Sequence, residues 1–272
     1  MRTVSLDQLT VLGVRPAELV EIAARAGYGA ISPFIGAGDS AGPSVVPLRS
    51  GDPDTLAMQR RMSDTGVFIN IADGFALFED TPMDELRQAA LLMAHMGARG
   101  IVTLQFDSDE TRGFDRFCQL REWACELNLP LLLEFTPLSQ VASLTDALNY
   151  RLRAGQENIG ILVDLFHLHR SGGVPSDLLS VDDGVILGAQ LCDGPSKQTV
   201  EEYADQALHE RRVPGEGDLP VHAFIAALPR DLTIGVEVPL RSCGLAGEGH
   251  LQRATRLMQA TRAVLANVEP DA

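Results

Sequence analysis

The sequence predicts a single domain over residues 1–272, folded as an eight-stranded (β/α)8 TIM barrel. Eight short apolar runs alternate with longer segments of helical periodicity, so each strand returns to the sheet through a helix and neighbouring strands run parallel. The length of 272 residues suits such a barrel, which takes roughly 250. An open doubly wound sheet is the alternative, but no G-x-G-x-x-G turn follows the first run and no Walker loop is present.

The eight apolar runs are recognised by their length and by their β-branched and aliphatic content. They cover residues 3–9, 30–36, 67–74, 100–106, 129–135, 159–166, 184–191 and 231–238. The first helical segment has an apolar stripe of 3.6-residue spacing and ends at Gly27, a typical helix stop. A Gly/Ser/Pro-rich loop follows the second run to about residue 52, and a short helix is expected at PSDLLS. After the seventh run comes a long polar excursion, residues 193–217.

Composition and charge narrow the class of partners. The formal net charge is −15 and the pI about 4.7, so the chain repels polyanions and nucleic-acid binding is not expected. No apolar stretch approaches the ~18 residues of a membrane span, and the N-terminus does not resemble a signal peptide. The four cysteines form no C-x-x-C pair, which predicts a reduced, cytoplasmic protein. The expected partner is a small-molecule substrate, and a homodimer is left open.

Four polar residues that can bind a metal close four successive apolar runs. They are Glu134 in LLLEFTP, Asp164 in GILVDLFH, Gln190 in VILGAQLCDG and Glu237 in TIGVEVPL. Such side chains are costly to bury without a partner. In a barrel, however, the carboxyl ends of the strands converge on one mouth, where barrel enzymes carry their active sites. Three carboxylates and one amide oxygen form an oxygen-only set, which favours Mg²⁺ or Mn²⁺ over zinc.

Further candidate residues flank these four. His167, in the sequence D-L-F-H, is expected to point into the mouth as a hydrogen-bond donor to substrate or as a general base. In the polar excursion Arg211 and Arg212 compete as a clamp for a substrate carboxylate, hydroxyl or phosphate, and we favour Arg212. Lys197 and Arg241 lie in the loops after the seventh and eighth runs, which often bind phosphate in barrels.

The motifs LLLEFTP, ILVDLFHLHRSG, GAQLCDGP, RRVPGEGDLPV and GVEVPL resemble those of the sugar phosphate isomerase/epimerase family of xylose-isomerase-like TIM barrels. The group also includes hexulose epimerases, inosose dehydratases and 3-dehydroshikimate dehydratases. The resemblance implies that one divalent metal ion is bound by the four strand-end residues, Glu134, Asp164, Gln190 and Glu237. It also implies that His167 and Arg212 contact the substrate.

One position departs from the family pattern. Epimerases of the family usually carry a histidine where this chain has Gln190, whereas dehydroshikimate dehydratase-like members carry glutamine. We expect a divalent-metal-dependent isomerase or epimerase acting on a small polyhydroxy ketone, a sugar or sugar phosphate, through a metal-stabilised enediolate. Glu134 and Glu237 would exchange the proton, and Arg212 and His167 would hold the substrate and balance developing charge. A metal-dependent lyase of the dehydroshikimate or inosose dehydratase type is the alternative. A metabolite-binding barrel without catalysis is the third reading.

Overall fold

The protein forms one sheet of eight parallel strands, each within one of the eight predicted runs. The structure is a computed structural model that describes residues 2–36, 45–197 and 199–269. The strands are β1 (Val4–Asp7), β2 (Ala30–Ser32), β3 (Phe68–Ile69), β4 (Ile101–Thr103), β5 (Leu131–Glu134), β6 (Ile159–Asp164), β7 (Ile186–Leu191) and β8 (Ile234–Val236).

The strand order closes the sheet into a ring. Hydrogen-bonded neighbours run in the order β3-β2-β1-β8-β7-β6-β5-β4. The chain just beyond β3 meets β4 in a parallel bridge between Ala72 and Ile101. There the Ala72 amide donates to the Gly100 carbonyl at 2.9 Å, and the Val102 amide donates to the Ala72 carbonyl at 2.8 Å. The predicted (β/α)8 barrel is therefore confirmed.

Helices connect the strands on the outside of the barrel. Among the described residues they are α1 (Pro16–Ala26), α2 (Pro53–Thr65), α3 (Met83–His95), α4 (Glu110–Glu126), α5 (Leu144–Arg153), α6 (Leu165–Arg170), α7 (Val200–His209), α8 (Val221–Ala227), α9 (Arg241–Leu245) and α10 (His250–Val268). The helix expected at PSDLLS is a 3-10 helix, Pro175–Ser180. The loop expected after the second run lies partly outside the described residues. No described helix has the length and apolar character needed to cross a membrane.

The sixth predicted strand ends two residues earlier than the sequence indicated. Strand β6 stops at Asp164, and helix α6 begins at the next residue. The cause is the Asp164 carboxylate, whose Oδ1 accepts hydrogen bonds from the amides of Phe166 at 2.5 Å and His167 at 3.3 Å. An aspartate at this N-cap position satisfies free amides of the first helical turn. The apolar residues after Asp164 therefore belong to the helix, where Leu165 and Phe166 are buried.

The barrel interior is filled below its mouth by a small apolar layer. Ile71, Val102, Leu132 and Leu162 form a buried cluster of their own, separate from the larger core between strands and helices. Glycine makes room for it, because a Cβ on Gly188 would lie 2.5 Å from Leu162 Cδ1. Side chains two residues apart on a strand share a face. Glu134 lies two residues beyond Leu132 on β5, and Asp164 lies two residues beyond Leu162 on β6. Both side chains are thus directed to the mouth of the barrel, above this layer.

Candidate active site

The four predicted strand-end residues meet at the carboxyl ends of β5 to β8. Glu134 and Asp164 end their strands, Gln190 is the penultimate residue of β7, and Glu237 directly follows β8. All four side chains are buried. In the β6–β7 ladder Asp164 is paired directly with Gln190. The structure thus brings together the four residues that the sequence singled out as metal ligands.

Gln190 joins two carboxyl groups in the barrel interior. Its Nε2 donates to Glu237 Oε1 at 3.0 Å and to Asp7 Oδ2 at 3.1 Å. Its own Oε1 is buried and has no hydrogen-bond partner among the described residues. Burial raises the pKa of Asp7 to about 7, against the hydrogen bonds that it receives from Ser32 and Gln190. Gln190 therefore presents a free oxygen at the centre of an acidic cluster.

Sequence reasoning missed two members of this cluster, Asp7 and Asp73. Asp7 ends β1 and Asp73 follows β3, so both obey the rule that identified the other strand-end residues. Both carboxyl groups are buried. Burial raises the pKa of Asp73 to about 6, although its Oδ1 accepts a hydrogen bond from the Gly74 amide at 2.6 Å. The signal was present in the sequence, in runs that are less uniformly apolar.

His167 lies beside Glu134, with Nε2 3.6 Å from Glu134 Oε1. Its Nδ1 is 2.8 Å from the hydroxyl of Tyr203, which in turn bonds the hydroxyl of Thr136. Burial lowers the pKa of His167 to about 4, so the imidazole is neutral at neutral pH. The contact with Glu134 is then not an ion pair. Tyr203, from helix α7 in the polar excursion, orients the ring and had not been predicted.

The arginine in the site is Arg211. Its guanidinium lies 2.5 Å from Asp164 Oδ2 and 2.9 Å from Glu237 Oε2, and it is buried. Arg212, which the sequence analysis favoured, points outward with 48% of its side chain exposed and lies 3.5 Å from Asp218. Arg212 forms an antiparallel bridge with Asp193, and in extended backbone adjacent side chains point to opposite faces. The described structure therefore brings Arg211, and not Arg212, to the cluster.

The electrostatics of the cluster follow from burial and from this one cation. Burial raises the pKa of Glu134 well above its ordinary value, and the nearby Asp73 and Glu237 add to the shift. Burial also raises the pKa of Glu237, against the effect of Arg211. Burial alone would raise the pKa of Asp164, but Arg211 holds it below its ordinary value. Arg211 thus favours the ionised form of Asp164, whereas burial makes Glu134 and Glu237 easier to protonate than ordinary carboxyl groups.

The residues of the cluster fit a divalent metal ion. Ligand atoms of Glu134, Asp164 and His167 all lie within 4.8 Å of one another. The unpaired Gln190 Oε1 adds a neutral oxygen donor. Including Asp7, Asp73 and Glu237, the described cluster has more carboxyl groups than Arg211 can neutralise. Buried like charges of this kind require protons or a further cation.

A cavity of about 370 Å³ opens onto this cluster. At its polar end lie Asp73, Glu134, His167, Arg211 and Glu237, and apolar side chains from several loops and from α7 line much of the rest. A concave pocket with a few converging polar groups and shifted pKa values is where a barrel is expected to bind its ligand. The cavity is therefore the candidate active site.

Comparison with known proteins supports the TIM-barrel fold. A model of the xylose isomerase-like TIM barrel family matches residues 20–262. No match is found among curated proteins. Among solved structures, the IOLI protein with a bound zinc atom has a TM-score of 0.72 and 15% identity, and the alignment covers 98% of both chains. The probable 3-DHS dehydratase AsbF of Bacillus anthracis has a TM-score of 0.76 and 14% identity, with 96% of this chain and 98% of that one covered.

Epimerases are also among the similar structures. The D-allulose 3-epimerase of Methylomonas sp. has a TM-score of 0.72 and 13% identity, with 97% of this chain and 98% of that one covered. The alignment spans 99% of this chain but 43% of a longer protein, a fusion of a xylose isomerase-like TIM barrel with a 4-hydroxyphenylpyruvate dioxygenase, at 20% identity and a TM-score of 0.76. At such identities the likeness establishes the fold.

Proposed function

Because the chain belongs to the xylose isomerase-like TIM barrel family, we propose that it is a divalent-metal-dependent isomerase or epimerase of a hydroxy ketone. The observation that carries the proposal is the pair of buried glutamates, Glu134 and Glu237, on the wall of one cavity. Burial raises the pKa of both carboxyl groups, which brings them towards the range in which a side chain can both accept and return a proton. The D-allulose 3-epimerase similarity agrees with this reaction class.

The residues that would hold the metal ion are Glu134, Asp164, Gln190 and Glu237, with His167 close enough to join them. A bound divalent ion would polarise the carbonyl and hydroxyl oxygens of the ketone and so acidify the C–H bond beside the carbonyl. Mg²⁺ or Mn²⁺ is supported by the predominance of oxygen donors. Zinc, which the IOLI protein binds, becomes the better candidate if His167 is a ligand.

The chain's own groups then divide the work. One glutamate removes the proton α to the carbonyl, and the other returns a proton to the opposite face or to the neighbouring carbon. Tyr203 holds His167 in a fixed orientation beside Glu134, at 2.8 Å from the imidazole Nδ1. Arg211 is 2.9 Å from Glu237 and can balance negative charge that develops on the substrate oxygens. Burial of these groups excludes water, which strengthens each of these electrostatic interactions.

A lyase that removes water β to the carbonyl is the second candidate. It is favoured by Gln190, at the position where epimerases of the family usually have histidine, and agrees with the similarity to AsbF. The same proton abstraction begins this reaction, followed by departure of hydroxide with help from a general acid.

Cytoplasmic location remains part of the proposal, supported by four free cysteines. A homodimer stays a prediction.

One experiment separates these functions. The purified protein is stripped with a chelator, reloaded with Mg²⁺, Mn²⁺ or Zn²⁺, and incubated in D₂O with a panel of hydroxy ketones. An isomerase or epimerase replaces the α-proton by deuterium, seen by NMR, and produces a new isomer. A lyase produces a conjugated product with new ultraviolet absorbance. Tight ketone binding without exchange or turnover would identify a binding barrel. The absence of both exchange and a conjugated product with every metal form would reject both enzyme reactions.

A further inference from the structure

We propose that the substrate of this site carries an uncharged, largely apolar body, such as an aryl or alicyclic ring, attached to its hydroxy ketone. The inference rests on the proposed function, which supplies the reacting end of the molecule. It departs from the sugar or sugar phosphate that the sequence indicated. The observations that carry it are the chemistry of the cavity wall and the state of its polar groups.

The cavity has an apolar wall in addition to its polar end. The rings of Phe78 and Phe106 stack with centroids 4.9 Å apart and an angle of 8° between their planes, and both line the cavity together with Leu104. Leu138 and Leu208 extend this wall to the solvent and are exposed. Exposed apolar surface is stabilised when a ligand covers it with apolar atoms, by about 25 cal/mol per Å². A hydrated polyol chain does not provide those atoms.

The hydroxyl groups of the described lining residues are already bonded within the protein. Thr81 Oγ1 accepts from the Phe78 amide at 2.6 Å and donates to the Ala76 carbonyl at 3.2 Å. The Thr136 and Tyr203 hydroxyls bond each other. A substrate hydroxyl buried without a partner costs about 1–3 kcal/mol. A chain of several hydroxyls would therefore find few partners beyond the carboxyl groups at the polar end.

The charge of the cavity also disfavours a phosphate. Among its described lining residues there is no lysine, and Arg211 is engaged by two carboxylates. Three carboxyl groups, those of Asp73, Glu134 and Glu237, line the same space. Lys197 and Arg241, the cations suggested for phosphate, are not lining residues, and Arg241 forms a two-pronged ion pair with Asp205. An anionic substrate body would meet repulsion without a dedicated cationic partner.

Three probes that share the hydroxy ketone and differ in the body test the inference. They are 2-hydroxyacetophenone, with an aryl body; erythrulose, with a polyhydroxy body; and dihydroxyacetone phosphate, with a charged body. Binding to the Mn²⁺-loaded protein is measured by calorimetry. We expect 2-hydroxyacetophenone to bind at least tenfold more tightly than erythrulose, and dihydroxyacetone phosphate to bind most weakly. Equal or tighter binding of either of the last two would overturn the inference.

A matched pair of leucine variants locates the binding. Leu208 in α7 lines the cavity with 44% of its surface exposed, and Leu91 in α3 has 43% exposed and is not among the lining residues. Leu208→Ser should weaken 2-hydroxyacetophenone binding about fivefold and leave erythrulose binding unchanged, because only the aryl body covers that leucine. Leu91→Ser should change neither. An equal loss of affinity for both probes in Leu208→Ser would show that the apolar wall does not distinguish an aryl body from a polyhydroxy body.

The same samples distinguish failure of this inference from failure of the proposed function. Deuterium exchange at the α-carbon tests the proposed reaction. The order of affinities tests which substrate body the cavity prefers. Tight 2-hydroxyacetophenone binding without exchange would reject the enzyme and retain the apolar body as a binding preference. Rapid exchange of erythrulose together with its tighter binding would retain the enzyme and reject the apolar body.

Discussion

Arg211 and Glu237 form a buried ion pair, with the guanidinium nitrogen 2.9 Å from the carboxylate oxygen. The same guanidinium lies 2.5 Å from Asp164, so a single side chain neutralises two of the four candidate metal ligands. A divalent ion placed between these carboxylates would compete with Arg211 for their oxygens and would be repelled by its charge. The position of Arg211 therefore couples the stability of the metal-free protein to its affinity for metal.

Replacing Arg211 by glutamine should have opposite effects on these two properties. The metal-free variant should lose about 3–5 kcal/mol of unfolding free energy, because Asp164 and Glu237 remain buried without their counter-charge. Its affinity for Mn²⁺ should rise about tenfold, because the competing cation is gone. Urea unfolding of chelator-treated protein and calorimetric titration with Mn²⁺ measure the two effects.

Arg212→Gln is the matched control. Its side chain is 48% exposed and close to an exposed Asp218, so the unfolding free energy should change by no more than about 0.5 kcal/mol. Mn²⁺ affinity should stay the same. If Arg211→Gln bound Mn²⁺ more weakly than the wild type, or if both variants behaved alike, Arg211 would not be a competitor of the metal.

The contrast between these two arginines shows how far the sequence could go. Glu134, Asp164, Gln190 and Glu237 were identifiable because each closes an apolar run, and parallel strands in a closed barrel deliver such residues to one mouth. The choice between adjacent arginines depended on the bridge between residues 193 and 212, a pairing of distant segments that no local pattern encodes.

The same limit applies to the surroundings of the site. Tyr203 reaches His167 from helix α7, which arrives from the polar excursion. The apolar wall joins Phe78 and Phe106 from loops after different strands. Neither the Tyr203–His167 contact nor the Phe78–Phe106 pair has a characteristic spacing in the sequence. The sequence therefore predicted the residues at the reacting end of the cavity, but not the kind of substrate body that the cavity accepts.

Glu134→Gln should slow proton transfer strongly while preserving the shape of the side chain. General acid–base groups contribute about 10²–10⁴-fold to a rate, so deuterium exchange at the α-carbon should fall by about that factor. The comparison is made at saturating Mn²⁺, because the lost carboxylate also weakens metal binding. Glu157→Gln is the control. Glu157 is an exposed glutamate in the loop after α5, so this variant should retain full exchange. Exchange that survives in Glu134→Gln would assign proton abstraction to another group.

Asp107 should make the stability of the cavity wall depend on pH. Its carboxylate accepts hydrogen bonds from Arg112 Nε and a terminal nitrogen, both at 2.7 Å, and lies 3.3 Å from Arg116. Arg116 also donates to the Phe78 carbonyl at 2.6 Å, which links this ion cluster to the Phe78 loop. The hydrogen bond from Arg112 holds the pKa of Asp107 below its ordinary value.

A carboxyl group whose pKa is lowered by folding stabilises the protein above its unfolded pKa, about 3.9, and this stabilisation is lost as the pH falls through the folded pKa. Asp107→Asn lacks the charge at every pH. The wild type should therefore be more stable than Asp107→Asn at pH 7, and the difference should shrink below about pH 4. Urea unfolding at pH 7, 5 and 3 checks this, and a difference that stays constant to pH 3 would contradict an ionic origin.

Gly188→Ala should destabilise the barrel although alanine is the better residue for an ordered chain. A Cβ at this position would lie 2.5 Å from Leu162 Cδ1 and 2.7 Å from Leu132 Cδ2, inside the apolar layer under the site. Overpacking of a filled core costs about 1–3 kcal/mol. Gly249→Ala is the control, because a Cβ there meets nothing within 4 Å and its φ of −73° is open to alanine. Gly249 is the N-cap of α10, where alanine is less favourable than glycine, so this control should lose at most about 1 kcal/mol, and urea unfolding should show the larger loss in Gly188→Ala. Equal stabilities of the two variants would mean that Leu132 and Leu162 can move aside, so that the layer supporting Gln190 is looser than its contacts indicate.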